Sequence, residues 1–318
     1  MRLPPKISAS LSALILSACG GGGGGGGSGN LSQLIESQLI EFSSWANVQA
    51  NQTVRLQGIS HNTDYTAPAP NFVVTQLTAS TDASSTVSIT YDGQQNVSAV
   101  SLTSGSKSQT FATSSGDTIG NLGTYLGASY SDIAFATDAN GTNVGIAAEP
   151  LASNLNWNYQ SFGAWETGRG TGSGYAAVAS VGSMTTGAGI PTTGNATYTG
   201  YSGGVAISAD GTQDFIVVSN FQATADFATR SVSIQATNSG SYDPVNVITN
   251  LNDTQYNYTG VLTYSAGSNS LSGTILTSVN NGTADGRFYG PSANEIGGIF
   301  EVRGAGVYGY FGAFGAKQ

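Results

Sequence analysis

The sequence predicts an all-β protein, and three observations carry that reading. Only 8% of the 318 residues are charged, too few Lys, Glu and Arg for a helical bundle. Gly numbers 45 and Pro only 8, while 15 Tyr and 12 Phe stand among many Thr and Val, a composition that favours strands over disorder. Turn pairs such as Asp92-Gly93, Ser104-Gly105 and Asn140-Gly141 separate short alternating runs. A chain of this length buries a core without staples, and its single cysteine excludes an intrachain disulfide framework.

Residues 1–18 read as an export signal: Arg2 and Lys6 form the positive region, Leu11 to Leu16 the apolar stretch, and small residues precede Cys19. The apolar stretch is too short for a stop-transfer helix. Leu16-Ser17-Ala18-Cys19 resembles a bacterial lipobox, which implies cleavage before Cys19 and its lipidation. Residues 19–30 continue as the lipidated cysteine and a poly-glycine tether, because glycine loses most backbone entropy on ordering. Gly20 after the cysteine, by resemblance to other lipoproteins, implies delivery to the outer membrane.

From Leu31 to Ala46, Leu31, Leu34, Ile35, Leu39, Phe42 and Trp45 recur at helical spacing and predict one amphipathic helix. Its polar face carries Glu36 and Glu41 without Lys or Arg, which favours packing on the protein over lying on a membrane. Short strands follow at Thr53 to Gly58, Asn71 to Thr78, Ser85 to Tyr91 and Val97 to Thr103, with a loop from Ile59 to Pro70. After Asn156 the strands lengthen, and Phe221, Ala223, Ala225 and Phe227 alternate with Gln222, Thr224 and Asp226. Large and small residues on one side suit a closed antiparallel barrel of about eight strands. Thr224, Asp226, Asp285, Arg287, Glu301 and Arg303 on the opposite faces argue against a lipid-facing apolar band.

Near the C-terminus, Phe288 and Tyr289 point to opposite faces of a strand that Pro291 must end. Ser292 to Glu295 has capping-box spacing for one helical turn, and Gly297-Gly298 lets the chain re-enter a sheet. Phe288-Tyr289-Gly290-Pro291, then Ala293-Asn294-Glu295-Ile296-Gly297-Gly298-Ile299-Phe300 and a final Phe314-Gly315-Ala316-Lys317, resembles the barrel signature of transferrin-binding protein B-like surface lipoproteins. Gly194 to Gly200 and the strand around Asp226 look like the same barrel. The resemblance spans Asn156 to Gln318 and implies a β-rich handle over 31–155 followed by a barrel over 156–318. It also implies a surface protein that captures host iron carriers, haem or haemoglobin, or complement regulators, often alongside a partner outer-membrane transporter and after Slam-type translocation. The chain has one handle-plus-barrel unit where the transferrin receptor has two, so the ligand does not follow from the likeness.

Chemistry is sparse. His61 is the only histidine and Cys19 is assigned to lipid, so no Ser-His-Asp, Cys-His or zinc arrangement can be built. Glu295 and Glu301 are explained by a turn and a solvent-facing strand, and no enzymatic activity is expected. Gly168 to Gly174 joins two strands and has no Lys-Ser/Thr ending, unlike a phosphate loop. A net charge of −9, with nine scattered Lys and Arg, excludes a nucleic-acid partner. No cofactor is expected; haem is a candidate ligand through His61, by analogy with the resembled group.

Recognition through loops on a rigid scaffold remains, with candidate stretches at Gly168 to Gly174, Thr185 to Thr193, Tyr201 to Gly204 and Ser239 to Gln255. Tyr201 and Tyr242 are the candidate aromatic anchors, since tyrosine offers contact area with little rotamer entropy to lose. The leading expectation is a monomeric, lipid-anchored outer-membrane binding protein at the cell surface that serves nutrient uptake. The alternative is a structural or adhesive envelope lipoprotein without a small ligand, which the low charge and abundant Thr, Ser and Gly favour.

Overall fold

Two β-sheets divide the chain in sequence order. The computed structural model describes residues 39–68, 73–149, 151–152, 155–244 and 248–318. The export signal, Cys19 and the glycine tether lie outside these described residues.

The first sheet takes β1 (Leu39–Glu41), β2 (Thr53–Ala67), β3 (Gln76–Leu77), β4 (Thr81–Tyr91), β5 (Val97–Ser104), β6 (Lys107–Ala112), β7 (Thr118–Asn121), β8 (Ile133–Thr137), β9 (Val144–Ala148), β10 (Gln160–Thr167) and β11 (Gly172–Gly182). Its order is β6-β5-β4-β2-β11-β10-β9-β8-β7, with β1 and β3 added onto β2. The sheet curls so that its terminal strands β6 and β7 approach each other without pairing. The second sheet takes β12 (Asn195–Ile207), β13 (Asp214–Asp226), β14 (Ser231–Asp243), β15 (Ile248–Asn250), β16 (Tyr258–Thr263), β17 (Leu271–Thr277), β18 (Asn281–Tyr289), β19 (Glu295–Arg303) and β20 (Gly309–Lys317). Eight of these close a ring, β13-β12-β20-β19-β18-β17-β16-β14, through a final β13–β14 pairing, while β15 hangs on β14. The all-β fold and the barrel of about eight strands are therefore as the sequence predicts.

Three expectations need correction. Leu31 to Gln38 lies outside the described residues, but the rest of the expected helix is strand β1 and a 3-10 turn at Trp45–Asn47. Tertiary pairing overrides the helical spacing there: β1 runs parallel to β2, and Trp45 sits in the sheet's core with its Nε1–H donating to Gln160 O at 2.8 Å. The expected loop around His61 is the middle of β2, because both edges of that segment are paired, to β11 and to β4. Finally, β10 and β11 belong to the first sheet, not to the barrel, so the sheets divide after Gly182 and not at Asn156.

Core packing explains the second sheet's uneven burial. Inside the ring lie Tyr198, Phe221, Ala223, Ala225, Phe288, Phe300 and Phe314, with the predicted alternation along β13. The outer faces of β12, β13, β19 and β20 carry Val205, Ile216, Val218, Ile299 and Phe311. These pack against Ile146, Phe162 and Val178 of the first sheet, so these barrel strands are buried on both faces over part of their length. The uncovered side mixes exposed Thr224, Ser233, Gln235 and Thr259 with exposed Val261 and Leu276.

Candidate ligand-binding rim

The C-terminal motif builds the seam between sheet and barrel. Phe288 points into the barrel beside Tyr198 and Phe227, while Tyr289 points out and shares a 2.8 Å hydrogen bond between its hydroxyl and Ser180 Oγ of β11. After Gly290, at φ +84°, Pro291 to Ala293 form a turn and β19 begins at Glu295. The expected capping role of Glu295 is not what forms: its carboxylate reaches across the seam and accepts from the backbone N–H groups of Asn158 at 2.5 Å and Tyr159 at 3.0 Å. Burial is the largest cause pushing its carboxyl up to about 7. Gly297 is required by proximity: a Cβ there would stand 2.1 Å from Gln160 Oε1. Gln160 Nε2 in turn donates to Ile296 O and Ala316 O, stitching β10 to β19 and β20. Gly298 makes the same allowance within the barrel, where a Cβ would meet the Phe314 ring at 2.4 Å.

A second seam element is ionic. Arg169 Nη2 lies 2.7 Å from Asp214 Oδ2, and Arg169 Nε lies 3.7 Å from Glu166 Oε2. Burial, then the neighbouring Asp214, holds the Glu166 carboxyl well above the usual range. The Gly168 to Gly174 stretch is the turn between β10 and β11, anchored at its base by the buried Arg169 while Gly170, Thr171 and Ser173 stay exposed.

His61 is buried, its side chain 6% exposed, with Nε2 at 2.9 Å from Asp82 Oδ1 and 3.7 Å from Asp285 Oδ2. This placement corrects the haem-ligand expectation, since a histidine enclosed between β4 and β18 presents no open face to a porphyrin. Among the described residues, no group of three or more His, Cys, Asp or Glu could hold a metal ion.

Tyr201 and Tyr242 lie in strands, not in binding loops. Tyr201 donates its hydroxyl to Ser129 O at 2.9 Å, and Tyr242 stacks on Tyr125 with centroids 4.4 Å apart. Both tie the segment around the helical turn Gly123–Leu126 to the barrel rim, as does Tyr130, whose hydroxyl donates to Asn238 O. Thr185 to Thr193 is docked too, with Thr185 Oγ1 donating to Gly290 O and Ile190 buried. Tyr201 to Gly204 is continuous strand.

Ser239 to Gln255 is different. Its base is fixed: Asp253 accepts from Ser241 Oγ at 2.6 Å, and Asn257 Oδ1 accepts from the backbone and hydroxyl of Ser239. Near its tip, β15 pairs with β14 and Thr249 Oγ1 donates to Tyr125 O, yet Ile248 and Leu251 are 55% and 63% exposed. Ile248 and Leu251 are thus two large apolar side chains held outward on a braced segment, alongside other exposed apolar residues such as Val261, Leu276 and Val279. No motif marked these two residues; the alternation of β14 breaking at Pro244 was the available signal.

Residues 190–318 match the family described as the C-lobe and N-lobe β-barrels of transferrin-binding protein B. A search of curated proteins finds no match. Among solved structures, the chain is similar to a single-substitution mutant of transferrin-binding protein B from Haemophilus parasuis Hp5, at 13% identity and TM-score 0.41, covering 84% of this chain and 76% of that one. It is also similar to isotype 1 transferrin-binding protein B from serogroup B Neisseria meningitidis, at 16% identity and TM-score 0.39, covering 74% and 52%. The N-lobe of lactoferrin-binding protein B from Moraxella bovis aligns at 14% identity and TM-score 0.35, covering 57% and 89%. The sequence match begins just before β12 and runs through β20, so the barrel strands are the part of the chain similar to the β-barrels of transferrin-binding protein B.

Proposed function

We propose that this protein is a lipid-anchored outer-membrane binding protein, displayed at the cell surface, that captures an external protein for nutrient uptake through the rim around Ile248 and Leu251. The observation that carries the reading is that exposed apolar pair, held by Asp253, Asn257 and Tyr125 on a barrel of the matched type. Support for the anchor comes from the lipobox-like Leu16 to Cys19 and the glycine tether after it. An iron-carrier protein of the transferrin or lactoferrin class is the ligand to test first, with a partner transporter taking the released nutrient. A closed barrel leaves no open strand edge among its eight ring strands, which is consistent with a monomer.

Two measurements test the reading. Protease shaving of intact cells is expected to cut the described domain; protection would refute surface capture and favour the structural envelope reading. Biolayer interferometry of the full chain against transferrin and lactoferrin is expected to give saturable binding to one of them. The Ile248→Asp, Leu251→Asp pair should weaken that binding by about 2 kcal/mol or more, as an interface hot spot does. An unchanged affinity would remove the rim from the site.

A further inference from the structure

Five barrel strands, β12, β13, β14, β16 and β17, carry the outer face that the first sheet leaves uncovered, and their register fixes which side chains are neighbours on it. Thr199, Gln222, Gln235, Thr259 and Leu276 stand side by side in one cross-strand row. Thr197, Thr224, Ser233, Val261 and Thr274 form the next row. On the other side a shorter row joins Tyr201, Asn220 and Thr237. No position in these three rows is charged, although the chain as a whole carries a net charge of −9. At an interstrand spacing of about 4.8 Å, the face spans roughly 19 Å.

One end of the face is a step. Trp157, in the segment entering β10, lies against β12 and β20, where a Cβ on Gly200 or Gly315 would stand 2.9 or 2.7 Å from its ring. At the foot of this step is a cleft of about 520 Å³, with Leu155 and Tyr201 on its apolar side and Asn220, Gln222, Gln235 and Thr237 across its floor. A second hollow of about 550 Å³ shares Gln222 and Gln235 and runs on to Val261 and Leu276. Gln235 Nε2 donates to Gln222 Oε1 at 2.8 Å, which orients both amides. A primary amide has two donor hydrogens and one acceptor oxygen, so the pair keeps the Gln235 carbonyl and the Gln222 amino group for a ligand. Among the described residues lining the two hollows, Lys317 is the only charged one, and its Nζ donates to Asn156 O at 2.5 Å.

We propose that this cleft and the hollow continuous with it bind a neutral oligosaccharide, with a sugar ring's C–H face against Tyr201 and its hydroxyls on the Gln222–Gln235 pair. Two adjacent sugar hydroxyls supply one donor and one acceptor, which is what the paired amides leave open. The aliphatic surfaces of Val261 and Leu276 take the C–H faces of sugars further along the chain. An acidic glycan would need cations to pair with its carboxylates, and the one lysine here is already engaged. A protein partner would need an aromatic, apolar or arginine-rich centre, and the amide and hydroxyl floor offers none. The site shares no residue with the Ile248 and Leu251 rim, so each reading can fail without the other.

The test is calorimetric titration of the full chain carrying Cys19→Ser with maltohexaose, cellohexaose, laminarihexaose and chitohexaose, and with hexagalacturonate as the acidic counterpart. At least one neutral hexasaccharide should bind saturably, one per chain, with a Kd of about 1 mM or tighter, and hexagalacturonate should bind roughly tenfold more weakly or not at all. Gln222→Ala with Gln235→Ala should weaken the neutral binding by roughly tenfold or more while the thermal melt is kept, and Asn220→Ala serves as the second variant if the pair does not fold. Ile248→Asp with Leu251→Asp should leave it unchanged. Saturable binding by none of the four neutral probes, equal binding of hexagalacturonate, or binding indifferent to a folded amide variant overturns the proposal. Loss of binding in the Ile248 and Leu251 variant also overturns it, because the glycan would then sit on the rim.

Discussion

The two sheets are built from similar strands yet finish differently. The barrel closes its ring and fills it with aromatic rings: Phe300 packs against Tyr258 and Tyr310 at 4.8 and 4.9 Å between centroids, and Phe221 stacks on Phe314 at 4.5 Å. The first sheet stops short of closure and keeps a small cavity of about 60 Å³, lined by Ala and Gly along with Ile146, Phe162 and Phe111. Both interiors mix large and small residues, and what differs is that the barrel's ring is completed by the β13–β14 pairing while β6 and β7 stay unpaired.

Truncation should give the largest contrast. Phe300→Ala in the barrel is expected to cost about 3–5 kcal/mol, while Val100→Ala beside the cavity should cost less than about 1 kcal/mol. Urea unfolding of both variants checks this, and equal losses would mean that the first sheet is packed as tightly as the barrel. Arg169→Ala, which leaves Asp214 buried without its cation, should cost about 3–5 kcal/mol and loosen the seam between the two regions.

A smaller effect is pH dependence at the seam. The Glu295 carboxyl sits near 7 when folded, above its ordinary value of 4.5. The folded state therefore holds a proton that the unfolded state releases between these values. Glu295 contributes most below pH 4.5, and its contribution falls as pH rises to about 7, by at most about 3 kcal/mol. Subtracting the Glu295→Gln curve from the wild-type curve in urea melts from pH 4 to 8 should isolate that fall. A flat difference would place the proton elsewhere.

Adding volume separates the regions most finely. Ala225→Phe inside the barrel should destabilise by about 1–3 kcal/mol through overpacking, whereas Ala136→Phe should be within about 0.5 kcal/mol of wild type. Comparable losses from the two would show that the space beside Ala136 is not usable.

Much of this architecture was legible in the residues. The alternation of Phe221 to Phe227, the opposed faces of Phe288 and Tyr289, and the terminal glycine-aromatic motif all specify local strand geometry, which depends on neighbours one or two positions away. The helix expected up to Ala46 and the loop expected around His61 failed for one reason: in each case a partner strand distant in sequence supplied hydrogen bonds that outweighed local preference. Tyr201 and Tyr242 look like surface anchors from sequence because nothing in their own strands reveals the segment at Tyr125 to Tyr130 that covers them.

By itself, then, the sequence determined the all-β class, the closed barrel and the turn that precedes β19, since periodicity, proline and glycine act locally. The tertiary structure decided which sheet β10 and β11 join, that Glu295 bridges the seam, and that Ile248 and Leu251 face outward. Those outcomes depend on contacts between residues more than a hundred positions apart, or on how one sheet covers another, and neither is encoded in the spacing of a single segment.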